Sequence, residues 1–228
     1  MSLLKISEII GLLRKEYGSI TWRSRTDPLS ELILTVLSQN TSDHNSRRAF
    51  DSLLKRFESW ETVAEGDVED IAEAIKLGGL AHVKAPRIKK ILQQIQKERG
   101  SLDLAFLKKM PVAEAKAWLR GLLPGVGPKT AACVLLFSLG KPVLPVDTHI
   151  HRVAKRLGLI DSSVSAERAH EILGEMVPAR DVYQFHIHMI GHGRRVCKAQ
   201  RPRCRECVLL KVCPTGQALL EARHEQGE

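Results

Sequence analysis

Apolar residues in this chain recur at intervals of three and four, and no segment alternates at two between hairpin turns. That pattern leaves helices as the regular structure it supports. Leu3, Ile6, Ile9, Ile10 and Leu13 mark one face of an N-terminal helix. Lys5, Glu8 and Arg14 interrupt that stretch, which suits an amphipathic surface helix and not a signal peptide. LSELILTVLSQ (29–39) is strongly apolar and NSRRAFDSLLKRF (45–57) amphipathic. Asp67 stands as N-cap of a helix that stops at Gly78-Gly79, and a further helix is expected over 85–100, between Pro86 and Gly100. Segments 113–121, 129–140, 148–159, 166–177 and 180–193 complete the set. The expectation is an all-α protein with a loosely held tail beyond Pro214.

The 228 residues carry 35 Lys and Arg against 26 Asp and Glu, a net charge of +9. Such an excess suggests an anionic polymer as partner, although a basic but otherwise ordinary soluble enzyme has the same balance. Aromatic residues make up 4%, so any base-stacking platform is small. No run of 18 apolar residues occurs, so nothing spans a membrane as a helix, and a cytoplasmic, nucleoid-associated protein is expected.

One stretch sets a lysine where it is mildly unfavourable. In LLPGVGPKTAACVLLFSLG (122–140) a glycine turn leads into an apolar helix, and its first charged residue is Lys129. A helix start carries unpaired N–H groups and the positive end of the dipole, so a cation there needs a reason. Glycines permit a tight turn and close approach, and Pro128 suits the first helical position. The exposed amides of such a turn make a natural phosphate seat. The plainer reading is an ordinary connection between two helices.

Four of the five cysteines lie together in CKAQRPRCRECVLLKVC, spaced C-x6-C-x2-C-x5-C as Cys197, Cys204, Cys207 and Cys213. Clustered thiols in a cytosolic chain argue for a metal or an iron–sulfur cluster before disulfides. Zinc is the rival for a Cys-x2-Cys pair, though zinc modules usually bring two short pairs. Cys133, inside the apolar helix, reads as a buried small hydrophobe.

LPGVGPKTA (123–131), VDTHIHR (146–152) and the four-cysteine pattern, in that order, resemble the endonuclease III family of helix-hairpin-helix DNA glycosylases. LSQNTSD (37–43), GLAHVKA (79–85) and HGRRVC (192–197) extend the resemblance from about Leu29 to Cys213. It implies two helical domains. A six-helix barrel over 29–141 would contain the hairpin at about 118–140. A discontinuous domain of 1–28 and 142–228 would hold a [4Fe-4S] cluster on Cys197, Cys204, Cys207 and Cys213. It further implies a monomer acting on double-stranded DNA that contains damaged bases or abasic sites.

The resemblance places the nucleophile at Lys129 and an essential carboxylate at Asp147, eighteen residues apart. The chemistry makes sense of both. Breaking an N-glycosidic bond builds positive charge on the sugar, which a carboxylate stabilises. An amine can attack C1′, displace the base and form a Schiff base, and the iminium acidifies C2′ so that the 3′ phosphate leaves. Water cannot form that iminium. The attacking amine must be neutral, and the helix end contributes only roughly 0.3–1 kcal/mol towards that, so a proton acceptor such as Asp147 is needed. The plainer role of Asp147 is the N-cap of THIHRVAKRL, which is compatible with catalysis.

Extrusion of a base requires a residue to fill the gap in the stack. By the resemblance Asn40 and Leu80 do so, with Asn40 in place of the usual glutamine and Ala81 where a tyrosine is common. Gly125, Val126 and Gly127 in the turn, His149, and Arg194, Lys198, Arg201 and Arg203 around the cysteines are the remaining candidate DNA contacts. The basic residues have a plainer reading as a solvated face, and the histidines as structural. Oxidised pyrimidines are the expected lesions. A mismatch-specific thymine or uracil glycosylase, a lyase-only enzyme, and a non-catalytic DNA-binding module are the alternatives; a pure binding module has no need of the Lys129 and Asp147 pair.

Overall fold

The computed structural model describes Leu3–Glu225, with side chains from Lys5 to Ala222, and among these residues there is no β-strand. The helices are α1 (Leu3–Tyr17), α2 (Pro28–Leu37), α3 (Asp43–Phe57), α4 (Trp60–Glu65), α5 (Val68–Ile75) and α6 (Ala81–Arg99). They continue with α7 (Val112–Leu122), α8 (Pro128–Phe137), α9 (Thr148–Arg156), α10 (Ala166–Met176), α11 (Val182–Arg195) and α12 (Pro214–Glu225). Internal packing divides the chain into two units, 23–141 and the pair of segments 1–22 with 142–228.

In the unit 23–141 the core is built on α2 and α8, which pack against each other. Asp27 caps α2 through Oδ1, accepting from the N–H groups of Leu29 (3.0 Å) and Ser30 (2.9 Å), and Pro28 occupies the first turn. Leu29, Leu32, Ile33, Val36 and Leu37 are buried along it. Each contributes about 1.5–3 kcal/mol by leaving water. Every residue of α8 from Thr130 to Phe137 is buried, as befits a helix apolar on all sides. A charge in place of Val134, at 0% exposure, would break this pair. Only the first turn of α8 comes to the surface, and Lys129 sits there.

Around this pair, α5 and α4 pack on α6, and α7 on α8. Helix α6 starts at Ala81, not near Ala85, so Pro86 lies inside it. The four residues gained follow Leu80, whose left-handed backbone (φ 52, ψ 36) starts the helix where no side-chain cap exists. Asp67 does occupy the N-cap of α5, but its side chain makes no capping hydrogen bond.

In the unit of 1–22 with 142–228, α11 packs on α9 and α1. Ile6, Ile9, Ile10 and Leu13 are buried, as the spacing requires; the side chain of Leu3 lies outside the described residues. Gly193 lets α9 approach α11, since a Cβ there would stand 3.0 Å from that of His149. The tail differs from expectation. Beyond Pro214 the chain forms α12, which packs on α9 and on the short turns Cys204–Glu206 and Leu210–Val212.

Candidate active site and cysteine pocket

The hairpin turn is shaped by one glycine. Gly125 has φ 72, a backbone that favours glycine, and a Cβ there would lie 2.7 Å from Nε of Arg87 and push that side chain aside. Val126 is buried and its N–H donates to Leu123 O at 3.3 Å, so this amide is committed to the turn. Gly127 is the N-cap of α8 in extended backbone (φ −85, ψ −178), and a Cβ there would meet nothing within 4 Å. No side chain caps α8, which leaves its first N–H groups, those of Lys129 among them, without an intrahelical partner. Pro128 contributes no N–H and fixes φ for the first turn. Lys129 itself is half-buried.

Glu31, which sequence reasoning passed over, lies in this neighbourhood. It is 4% exposed, and burial pushes its carboxyl above the ordinary carboxylate range. Arg25, a hydrogen bond from Thr26 (3.4 Å), Arg47 and Lys129 oppose that rise. The signal was a lone acid inside LSELILTVL, too weak by itself to separate from a solvated helix start.

Four non-glycine residues among those described have left-handed backbone: Asn40 (φ 53), Glu58 (φ 59), Leu80 (φ 52) and Arg201 (φ 50). Three of them are residues singled out from sequence as DNA contacts. L-residues pay about 1–2 kcal/mol for this conformation, and such strain collects at functional sites. Leu80 is 52% exposed and Asn40 is exposed as well, so neither is held there by burial.

Asp147 is the N-cap of α9, its Oδ1 accepting from the N–H of Ile150 at 2.8 Å. Capping uses one oxygen of the carboxylate and fixes its orientation. His149 Nδ1 lies 3.2 Å from Nη2 of Arg152, which also donates to Gly193 O (2.8 Å), while its Nε donates to Cys197 O (3.1 Å). One turn on, Arg156 donates from Nη1 to Lys198 O (2.6 Å) and Cys197 Sγ (3.3 Å) and from Nη2 to Ala199 O (2.9 Å). Sequence reasoning missed these two arginines. Their spacing of four, which sets both on one face of THIHRVAKR, was the available signal.

Cys197, Cys204, Cys207 and Cys213 form no disulfide and line one pocket with Arg156, His192, Arg203, Thr215 and apolar side chains, with no carboxylate in the lining. Among the described residues no three His, Cys, Asp or Glu side chains form a ready site for a single metal ion. Burial pushes the Cys207 thiol up to about 11, and the neighbouring Cys213, Cys197 and Cys204 add to this against the amide of Leu209. Burial, with Arg195, lowers His192 to about 4, so its ring is neutral at pH 7. The Tyr17 hydroxyl lies 2.8 Å from its Nδ1, and Cys207 Sγ lies 3.4 Å from its Nε2. The N–H of Gly216 points at Cys213 Sγ at 3.3 Å. Four thiols, with N–H donors from Arg156 and Gly216 aimed at two of their sulfurs, form a donor set that fits a thiolate-held iron–sulfur cluster. Cys133 is buried inside α8 and is not in the pocket lining.

Around the cysteines, Arg194, Lys198, Arg201 and Arg203 are all exposed. Arg203 pairs with Glu206 at 3.6 Å, and Arg195 stacks over the Tyr17 ring at 4.5 Å. An exposed pair of this kind is worth little.

A family model described as HhH-GPD superfamily base excision DNA repair protein matches residues 33–179. Endonuclease III of Thermotoga maritima is 36% identical over 188 residues, covering 82% of this chain and 83% of that protein. An Arabidopsis thaliana protein named as a putative DNA glycosylase is 39% identical over 166 residues, 73% of this chain; the match spans 56% of the length of that relative. A solved non-covalent endonuclease III–DNA complex superposes with a TM-score of 0.83 at 27% identity, covering 97% of this chain and 99% of that one. The chain belongs to the HhH-GPD superfamily of base excision DNA repair proteins and, within it, to the endonuclease III family. It is an enzyme of the DNA glycosylase class. No described helix is long and apolar enough to cross a membrane.

Proposed function

We propose that the protein is a bifunctional glycosylase and abasic-site lyase that removes oxidised pyrimidines from duplex DNA, with Lys129 as nucleophile. The observation that carries this reading is the uncapped start of α8, where Lys129 stands half-exposed beside open amides. A phosphate seated on those amides would bring the sugar to the amine. Gly127 supports the seat, since neither its backbone angle nor any neighbour requires glycine, and the missing Cβ leaves room for close approach.

In this scheme the amine of Lys129 attacks C1′ as the base departs with the bonding electron pair. The carboxylate of Asp147 steadies the positive charge that grows on the sugar and takes up the proton that the amine sheds. The C1′–O4′ bond then breaks, its electrons leaving with O4′, which takes up a proton, so that the nitrogen holds C1′ of the opened sugar as an iminium. C2′ loses a proton, a C2′=C3′ double bond forms, and the 3′ phosphate leaves with the C3′–O electrons. Water finally returns the free amine. Asn40 and Leu80 fill the stack from which the nucleotide has turned out. His149, held through Arg152, and Arg194, Lys198, Arg201 and Arg203 face the duplex backbone.

Cys197, Cys204, Cys207 and Cys213 would hold a [4Fe-4S] cluster, which when bound ties a segment with little core of its own into a fixed loop. The protein acts as a monomer in this reading. A panel of duplexes, each with one lesion, tests the assignment when base release and strand nicking are scored separately. Oxidised pyrimidines should be released and nicked. Release confined to mismatched thymine or uracil, or nicking without release of any base, would replace the substrate assignment.

A further inference from the structure

The two residues assigned above as plugs are fastened together by a buried ammonium. Lys84, in the first turn of α6, is 1% exposed. Its Nζ donates to Leu37 O at 2.7 Å and to Gly78 O at 2.9 Å. Leu37 ends α2 three residues before Asn40, and Gly78 precedes Leu80 by two. The Lys84 N–H also donates to Leu80 O at 2.9 Å, so Lys84 grips the Leu80 turn by backbone and side chain together. One turn further along the same helix, Arg87 Nη1 donates to Gln39 Oε1 at 2.8 Å, and its Nε lies where a Cβ on Gly125 would intrude.

A buried lysine is a poor choice for stability alone. Burial, with Arg87 nearby, lowers the affinity of Lys84 for its proton, and an apolar side chain would fill the space without that cost. What an apolar side chain cannot do is bond two carbonyls from separate turns at one point. Such a bond suits both turns, because Asn40 and Leu80 have left-handed backbone and side chains that are not buried in the core.

We infer that Lys84 is a positioning residue that couples Asn40 and Leu80, so that the two enter the base stack as one unit. The inference rests on the reading of Asn40 and Leu80 as plugs. Arg87 adds a second brace from the Asn40 turn to the hairpin. Without the ammonium each turn is free to relax to ordinary backbone, and each side chain would then insert or fail independently.

The test is a double-mutant cycle on a duplex carrying 2-aminopurine beside a tetrahydrofuran abasic analogue, read as the fluorescence rise on unstacking and as affinity. The analogue cannot form an imine, so the result does not depend on Lys129. In the parent, Asn40→Ala and Leu80→Ala should each cut the response, and the double variant should lose little beyond the larger single loss. In Lys84→Met the same two changes should become independent, and the response should fall at least about fivefold before either is made. Independent, multiplying losses in the parent would overturn the coupling, and that result is available even if Lys84→Met fails to fold. A full response in folded Lys84→Met would overturn it too. If neither alanine variant alters the response, the plug reading itself falls, and the coupling with it.

Discussion

Arg156 and Cys197 lie 41 residues apart in sequence, yet Nη1 of the arginine stands 3.3 Å from the cysteine sulfur. The same guanidinium holds the carbonyls of Lys198 and Ala199, so one side chain of α9 organises the start of the basic loop. Hydrogen bonds to charged groups are worth about 1.5–3 kcal/mol each. Arg156→Met should therefore lower the iron content of the purified protein and speed bleaching of its brown colour under a chelator by at least about tenfold. Arg156→Lys should fall between. Stoichiometric zinc without iron in the parent would dismiss the cluster.

The exposed arginines of that loop should act on all duplexes alike. Arg201→Ala and Arg203→Ala should weaken binding irrespective of sequence and reduce the slope of log affinity against log salt by up to about one for each phosphate no longer neutralised. An unchanged slope would make them a solvated face.

The two glycines of the hairpin should separate stability from binding. Gly125→Ala forces a left-handed alanine at a cost of about 1–2 kcal/mol and displaces Arg87, so Tm should fall by several degrees. Gly127→Ala meets no neighbour and needs no unusual backbone, so Tm should hold while duplex affinity drops. Full affinity in Gly127→Ala would remove the phosphate seat from the scheme.

Glu31 gives a pH dependence of definite sign. Its carboxyl binds a proton more tightly folded than unfolded, so its contribution to stability is fully present below about pH 4.3 and is lost as pH rises through the folded value. Glu31→Gln removes this loss. The Tm of the variant relative to the parent should rise as pH goes from about 4 to 7, whereas parallel curves would show that burial does not perturb the group.

Much of this was legible in the sequence, for reasons tied to particular residues. Helical spacing announced α1 and its buried face, because burial and periodicity coincide there, whereas α2 and α8 were announced by apolar runs that are buried nearly all round. The start of α6 was hidden, since Pro86 normally marks a first turn and the left-handed Leu80 leaves no capping signature. The tail misled for a different reason: α12 packs on short turns around the cysteines, a partner that local pattern does not reveal. Lys84 carried no sequence signal as a structural residue, and the spacing of four between Arg152 and Arg156 was too common on helices to mark them as such. Each acts through carbonyls distant in sequence, and a basic side chain on a helix otherwise reads as solvated.

The central claim is that Lys129 forms a covalent imine with C1′. Borohydride added to the protein on an abasic-site duplex should fix that imine as a stable protein–DNA adduct. Lys129→Gln keeps a polar side chain but removes the amine, so it should bind the duplex yet neither trap nor nick. Asp147→Asn should lose base release more than nicking of a preformed abasic site. Trapping and nicking by Lys129→Gln at the parental rate would contradict the account, because the nucleophile would then be another amine.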